Sequence, residues 1–247
     1  MWWLIPVGIA LIVFAVMATR PMRIPREPDR EGHQDREAVA AYNRVSRGPT
    51  FVMERFIVMH ALASRPPQGV LVDLGCGAGY LAARIARRYP ALRVIGVDTN
   101  ADMLATAQRN WPSDRYRDLS FVLGDAGRLP LATASVDTVV SSISLHHWRV
   151  PLAALAEIRR VLRPAGVFVL FDIRRDAPRV AYWALAVEQR FFAPSAIRRT
   201  NGAVGSFWSA YTVPELSALF KQAGWEAPEV RRRPGWLLAH ARRVAKT

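Results

Sequence analysis

Residues 70–79 read VLVDLGCGAG, an apolar run that leads directly into three closely spaced glycines. The run has the length of one buried strand, and the residues that follow from Tyr80 predict a helix. Glycines at such a junction let the chain turn sharply, and they let a ligand approach the backbone beside the N–H groups of the helix N-terminus. The stretch therefore predicts a strand, a tight turn and a helix that together bind a nucleotide-like ligand.

A second strand end supplies a carboxylate at the expected distance along the chain. The predicted strand at 93–97 runs into Asp98, roughly twenty residues beyond the glycines, where an acid accepts hydrogen bonds from ribose hydroxyls. Two other nucleotide motifs are excluded. Tyr80 stands where the G-x-G-x-x-G fingerprint needs its third glycine, and no lysine follows the turn as a P-loop requires.

Short β-rich runs alternate with longer helical patterns, which predicts an α/β fold with a doubly wound, mostly parallel sheet. The first five predicted strands are 70–74, 93–97, 119–123, 136–142 and 167–172. A capping-box pattern at Thr212 predicts a helix to about Ala223, closed by Gly224. Two last strands are predicted near 225–230 and 236–242, with an arginine-rich connection at 231–235.

The chain resembles the class I S-adenosylmethionine-dependent methyltransferases, in particular the small-molecule branch that includes quinone-biosynthesis enzymes. The segments that carry the resemblance are Asp73–Gly79, Gly96–Asp98, Gly124–Ala126 with Leu129-Pro130, Ser135–Asp137, Leu145–His147 and Glu157–Gly166. The resemblance is strong over residues 67–173 and loose over 208–242. It implies a seven-stranded, Rossmann-like methyltransferase sheet whose last strand is antiparallel.

The resemblance also implies S-adenosylmethionine as the cofactor, with no metal ion. The cofactor-binding candidates are Asp73, Gly75, Cys76, Gly77, Gly79, Asp98, Thr99, Asp125, Ala126 and Ser142. Carried over by position, the three glycines line the methionine portion and Asp98 holds the ribose. Asp125 bonds the adenine amino group, unless it is an ordinary turn acid. Asp73 orients the methionine amino group or the loop.

Methyl transfer is an in-line displacement at a sulfonium methyl group, so much of the acceleration comes from positioning. A general base is needed only when the nucleophile carries a proton. His146, His147 and Asp172 are the candidates, because they follow strands four and five, where ligands bind in open α/β sheets. Packing and loop capping are the alternative interpretations for these three residues.

The amino terminus carries no charged residue from Trp2 to Ala18. As a helix this run would be roughly 26 Å long, close to the roughly 30 Å hydrocarbon core of a bilayer. Arginines follow it at 20, 23 and 26, which by the positive-inside rule predicts a cytoplasmic catalytic domain. We therefore predict a single-pass cytoplasmic-membrane anchor at 1–19, a solvated linker at 20–37 and a methyltransferase domain at 38–247. A cleaved signal peptide and a buried core helix are the alternatives.

Residues 175–211 are predicted to form a substrate lid. Val180, Trp183, Ala184, Val187 and Phe191 share one helical face, which is typical of a lid or an interfacial helix, with core packing as the alternative. Tyr42, before the first strand, is a further candidate for closing over the cofactor.

Charge and composition limit the functions that the chain can have. The net charge of +14 favours an anionic partner such as a membrane or a nucleic acid, and the single cysteine excludes an internal disulfide framework. Enzymes that methylate base amino groups carry an acid or asparagine with two prolines after strand four, and residues 142–145 lack that motif. We predict a methyltransferase for a small, lipophilic, membrane-associated acceptor. An RNA or protein methyltransferase and a non-catalytic cofactor-binding domain are the alternatives, and the oligomeric state stays open.

Overall fold

The structure is a computed structural model that describes residues 18–27, 36–199 and 202–244. Within these ranges no helix is both long enough and apolar enough to span a bilayer. The predicted anchor at 1–19 lies outside the described residues up to Met17, so it stays a prediction.

Seven strands form one sheet. Their bounds are β1 (Val70–Leu74), β2 (Arg93–Asp98), β3 (Leu119–Leu123), β4 (Val136–Ser142), β5 (Leu162–Ile173), β6 (Glu229–Arg232) and β7 (Trp236–Arg242). Their order is β3-β2-β1-β4-β5-β7-β6. The pairs are parallel from β3 to β5, and β7 is antiparallel to both β5 and β6. The predicted doubly wound, mostly parallel sheet is therefore confirmed.

Helices cover both faces of the sheet. In the described ranges they are α1 (Arg36–Val45), α2 (Pro49–Ala63), α3 (Tyr80–Arg88), α4 (Ala101–Asn110), α5 (Pro151–Val161), α6 (Arg179–Phe191), α7 (Ser195–Arg199), α8 (Gly202–Ser209) and α9 (Val213–Gln222). A single 3₁₀ turn, Leu145–His147, follows β4. The predicted capping box is present at the start of α9, where the Thr212 amide donates to the Glu215 carboxylate at 2.8 Å.

Two apolar layers hold the helices against the sheet. Neighbouring strand residues face opposite layers, so Leu71 packs with α2 and α3 while Val72 packs with α5 and α9. Because both faces of the central strands are covered, β1 is apolar except at Asp73, and β4 is buried along most of its length although it also carries polar residues. The carboxyl ends of the parallel strands, which carry the polar candidate residues, therefore lie along one edge of the sheet.

Two strands begin several residues away from their predicted starts. β5 begins at Leu162 because that residue pairs with Val136 across a register irregularity. β6 begins at Glu229 rather than near Trp225. Trp225 is buried against Phe168 and bonds a helix carbonyl, so it belongs to the core beneath α9. The exposed edge strand β6 tolerates arginines that the sequence prediction assigned to the connection.

Residues 20–27, the described part of the predicted linker, contact the methyltransferase domain although they are partly exposed. Pro21 pairs with Pro178, and the Arg175 guanidinium donates to the Ile24 carbonyl at 2.9 Å. The Arg26 side chain donates to the carbonyl at 209 at 2.7 Å. Most of these bonds use backbone oxygens, which any side-chain composition allows, so the sequence pattern carries no signal for them.

Ala165 offers a test of backbone strain in the turn before the long part of β5. Its φ of 67° lies in the left-handed region. That conformation costs an L-residue about 1–2 kcal/mol, against roughly 0.4–1 kcal/mol for the extra unfolded-state freedom of glycine. We therefore expect Ala165→Gly to raise the free energy of unfolding by up to about 1 kcal/mol in urea denaturation. Ala132→Gly, at an exposed residue without a positive φ, should lower it. Equal losses in both variants would contradict strain at Ala165.

Candidate cofactor and active site

A cavity of about 870 Å³ opens at the carboxyl ends of β1, β2 and β4. This is the edge at which open α/β sheets bind their ligands. Six of the cofactor-binding candidates line it: Gly75, Gly77, Asp98, Thr99, Asp125 and Ala126. Tyr42 and His147 also line it. Asp73, Cys76, Gly79 and Ser142 do not belong to its lining.

The three glycines of the turn have left-handed φ values of 77°, 51° and 79°, at 75, 77 and 79 respectively, but they face different surroundings. A Cβ at Gly75 would lie 2.1 Å from the Ser144 hydroxyl, so a side chain cannot fit there. A Cβ at Gly77 would meet only Tyr42, at 3.4 Å, since this residue faces the cavity. Gly79 caps α3 and packs against Phe121, so its role is in folding the turn.

Asp98 joins the end of β2 to the glycine turn. One carboxylate oxygen accepts from the Gly77 amide at 2.8 Å, and the other accepts from the Asn100 amide at 2.9 Å. Each carboxylate oxygen can accept a second hydrogen bond. Asp98 therefore orders the turn and presents acceptors to the cavity, which fits a bound ribose.

Asp125 and Ala126 lie on the loop after β3. The Asp125 side chain is exposed and accepts from the Gly127 amide at 2.6 Å, as a turn acid does. The same residue lines the cavity, so the turn contact is observed and the adenine contact stays a prediction. Ala126 is buried beside it and contributes its backbone to the cavity wall.

A pair of buried acids lies behind the glycine turn, outside the large cavity. Asp73 at the end of β1 and Glu54 on α2 both line a smaller cavity, and the Ser142 hydroxyl donates to Glu54. Burial raises the pKa of Glu54 to about 7 and that of Asp73 to about 8. Glu54 is not among the site residues predicted from the sequence. The sequence feature that could have identified it is the adjacent charged pair Glu54-Arg55 within an otherwise apolar helical run.

Cys76 contributes backbone rather than chemistry. Its amide donates to the Val97 carbonyl at 3.1 Å, and its thiol is buried on the side of the smaller cavity. Burial raises the pKa of the thiol, which disfavours a reactive thiolate.

The three catalytic candidates occupy two different environments. His146 is fully buried, and its Nδ1 lies 2.7 Å from an Asp172 carboxylate oxygen. The His146 amide also donates to Asp172 at 3.2 Å, so this pair holds the 3₁₀ turn against β5. Neither residue lines the cavity, so the catalytic role of this pair stays a prediction. His147 lines the cavity and stacks on His146 with ring centres 4.0 Å apart.

Ile143 adopts a φ of 48° directly after β4. A left-handed conformation costs a β-branched residue about 1–3 kcal/mol, and such strain clusters at functional sites. Ile143 lines both the large and the small cavity, and its amide bonds the Phe171 carbonyl on β5 at 2.9 Å. The strained residue thus lies where the two cavities meet. Within the described ranges, no cluster of histidine, cysteine or acidic side chains is arranged to hold a metal ion.

Comparison with known proteins agrees with this geometry. A family model described as a methyltransferase domain matches residues 72–170. A demethylmenaquinone methyltransferase from Beutenbergia cavernae is 33% identical over 206 residues, which cover 77% of this chain and 80% of that protein. An arsenite methyltransferase from Halobacterium salinarum is 30% identical over 171 residues, which cover 69% of this chain but only 40% of that protein.

A solved structure has the same fold. The SAM-dependent methyltransferase from Aquifex aeolicus superposes with a TM-score of 0.63 at 17% identity, covering 85% of this chain and 99% of that one. The glycine turn, the acid at the end of β2 and the open cavity beside them fit an adenosyl cofactor. The chain belongs to the class I S-adenosylmethionine-dependent methyltransferases, and S-adenosylmethionine is its cofactor.

Proposed function

We propose that this enzyme methylates a small lipophilic acceptor dissolved in the membrane, and that it works at the cytoplasmic surface. The observation that carries the proposal is the outward face of α6, which is apolar and exposed. No residue of α6 is buried. The exposed fractions of Val180, Trp183, Val187 and Phe191 run from 41% to 68%.

Core packing of this apolar face, the alternative from the sequence, does not agree with these exposures. The opposite face of α6 makes the protein contacts: Tyr182 packs on Phe207, and the Gln189 side chain accepts from the Val204 amide at 2.8 Å. An apolar face turned away from the protein is typical of a helix that lies in a bilayer interface.

A second exposed apolar stretch adjoins the first. Val52, Met53 and Phe56 on α2 are 46% to 59% exposed. The Thr50 hydroxyl at the start of α2 bonds Glu188 on α6 at 3.4 Å, which brings the two helices together. We call Val52, Met53 and Phe56 together with the four outward residues of α6 the apolar surface.

Basic residues and the chain path favour a bilayer as the partner of the apolar surface. Arg190, Arg198 and Arg199 are exposed on α6 and α7, where they suit anionic lipid headgroups. The Arg179 amide at the start of α6 donates to the Arg20 carbonyl at 3.0 Å. The apolar run that ends at Ala18 therefore joins the domain beside α6, so a membrane anchor would bring the apolar surface to the same bilayer.

The named relatives and the path to the cavity support a lipophilic acceptor. The demethylmenaquinone methyltransferase is named for a quinone. α6 packs on α8, which in turn contacts the 3₁₀ turn that carries His147. This chain of contacts links the apolar surface to the cavity. Methyl transfer to RNA, methyl transfer to protein, or no methyl transfer at all would overturn the proposal.

The cavity residues have separate roles in binding the cofactor and in methyl transfer. S-adenosylmethionine supplies an electrophilic sulfonium methyl group and leaves as a neutral thioether. Asp98 binds the ribose hydroxyls, Asp125 and the Ala126 amide bind the adenine, and the turn at Gly77 accommodates the methionine portion. His147 accepts the acceptor's proton where the nucleophile carries one. The Asp172–His146 pair positions the turn on which His147 lies.

We expect Asp98→Ala to weaken S-adenosylmethionine binding by at least about tenfold. The substitution removes both ribose acceptors, and bonds to a charged group contribute about 1.5–3 kcal/mol each before solvent compensation. It also leaves the Gly77 amide without its carboxylate. Isothermal titration calorimetry measures the change, with the exposed Asp114→Asn as control. An affinity that stays unchanged in the Asp98 variant would refute the assigned ribose site.

Replacing His147 and replacing His146 should affect different properties of the enzyme. We expect His147→Ala to lower turnover and to flatten the pH–rate profile while the free energy of unfolding stays within about 0.5 kcal/mol. His146→Ala removes the imidazole from the buried Asp172 carboxylate but keeps two backbone donors to it, so it should lower the free energy of unfolding by about 1–3 kcal/mol. Thermal denaturation and pH–rate profiles separate the effects. A flattened profile in a stable His146 variant would reverse the assignment.

The acceptor class is tested with methyl-labelled S-adenosylmethionine and native membranes. We expect label in the lipid extract when the full-length enzyme is supplied. Trp183→Ala should raise the KM for the membrane-dissolved acceptor and leave the KM for S-adenosylmethionine unchanged. The reason is that the substitution weakens only the binding of the acceptor. The difference in acceptor KM between Trp183→Ala and the unmodified enzyme should vanish when the acceptor is presented in detergent. Val244→Ser, at an exposed apolar residue outside the apolar surface, is the control. Label confined to RNA or protein would refute the proposal.

A further inference from the structure

Another open cavity, with a volume of about 700 Å³, lies between α2 and α3. We call it the arginine groove, because the described residues that line it include Arg55, Arg84, Arg87 and Arg88 and no acid. It shares no lining residue with the large cavity that holds the cofactor candidates. The arginine groove is therefore a separate feature that cofactor binding does not explain.

The positive charge of the arginine groove is concentrated on α3. Arg84, Arg87 and Arg88 are exposed and lie three or four positions apart, which places them on one side of the helix. In the described part of the chain, none of these three side chains has a carboxylate within salt-bridge distance. Glu54 interacts with Arg55 and Arg84 from the side of the smaller cavity. Like charges at helical spacing repel one another, so an anion that bridges the arginines of α3 would stabilise this arrangement.

The inner wall of the arginine groove is aromatic, and contacts within the protein hold it in place. The Tyr80 hydroxyl donates to the Asn43 side chain at 3.0 Å, and the Arg55 guanidinium lies 5.4 Å from the centre of the Tyr80 ring. Trp111 packs edge-on against Tyr80 with ring centres 5.4 Å apart, and its indole N–H donates to the Ala78 carbonyl at 3.0 Å. A wall that is already ordered lowers the entropic cost of binding a ligand.

The arginine groove adjoins the apolar surface. Phe56 belongs to both features and is 59% exposed. Along α2, Val52 lies one turn before Phe56, and His60, which lines the groove, lies one turn after it. Spacings of four residues place these three side chains on one face of the helix. The exposed face of α2 therefore passes from apolar residues near its start to the arginine groove near its end.

We propose that the arginine groove binds the phosphate headgroup of an anionic phospholipid, with the acyl chains of the lipid running past Phe56 onto the apolar surface. Guanidinium groups bind phosphate oxygens through paired hydrogen bonds. A zwitterionic headgroup carries its own cation, which the arginines repel, so the groove selects anionic lipids. A nucleic acid matches the charge of the groove but not the exposed apolar residues beside it. The inference rests on the proposed function, since it names the lipid that meets the apolar surface.

Calorimetric titration of the full-length enzyme in a neutral maltoside detergent tests the proposed lipid. The probes are dihexanoyl phosphatidylglycerol, dihexanoyl phosphatidylcholine and glycerol phosphate. We expect dihexanoyl phosphatidylglycerol to bind about tenfold more tightly than either of the others. The reason is that only this probe combines a net negative headgroup with acyl chains. Equal affinity for the two lipids would overturn the inference, and so would glycerol phosphate that binds as tightly as dihexanoyl phosphatidylglycerol.

Two pairs of arginine substitutions separate the groove from the overall charge of the protein. Arg84→Gln with Arg87→Gln should weaken binding of dihexanoyl phosphatidylglycerol about tenfold, and glutamine keeps the helix propensity of these exposed positions. Arg232→Gln with Arg233→Gln removes the same charge from β6, at the far edge of the sheet, and should change the affinity less than about twofold. Equal losses in the two double variants would refute a site in the groove.

Phe56→Ser tests the passage of the acyl chains. It should weaken binding of dihexanoyl phosphatidylglycerol several-fold and leave the weaker binding of glycerol phosphate unchanged, because the two ligands share only the phosphate. An unchanged affinity for the lipid would contradict the proposed path of the chains.

The groove and the proposed function can fail separately. If methyl label enters the lipid extract while the two lipids bind equally, the groove is refuted and the proposed function stands. If the arginines of α3 are needed to bind the anionic lipid while label enters only RNA, the groove stands and the proposed function is refuted.

Discussion

The hydrogen bond from the Gly77 amide to the Asp98 carboxylate is the contact on which the site depends, because it joins the turn after β1 to the end of β2. The turn can approach Asp98 only with left-handed glycines, and Gly75 leaves no room for a Cβ beside Ser144. One contact therefore sets both the position of the ribose acceptor and the shape of the cavity wall. The large and small cavities lie on either side of this wall.

The second constraint is the cost of placing two acids behind the same wall. Desolvation raises the pKa of Glu54 to about 7 and that of Asp73 to about 8, although Arg55 and Arg84 act on Glu54 in the opposite direction. Two buried acids at one site cost stability, and such an arrangement is typical of functional sites.

The apolar surface and the cofactor cavity lie on different sides of the helices that follow β5. α6 uses one face to contact α8 and turns its apolar face outward. The backbone of residues 20–27 pairs here with the residues at the start of α6.

The sequence by itself determined the elements whose information is local. The glycine turn, the apolar strands and the Thr212 capping box depend on residues a few positions apart, so pattern and propensity sufficed for them. Only the tertiary structure decided which residues meet over long separations: Ser142 with Glu54, 88 positions apart, and His146 with Asp172, 26 apart. Helical periodicity likewise identified the apolar face of α6 but not its direction, because a period specifies which side chains lie together and packing alone specifies whether they point to the core or to the outside.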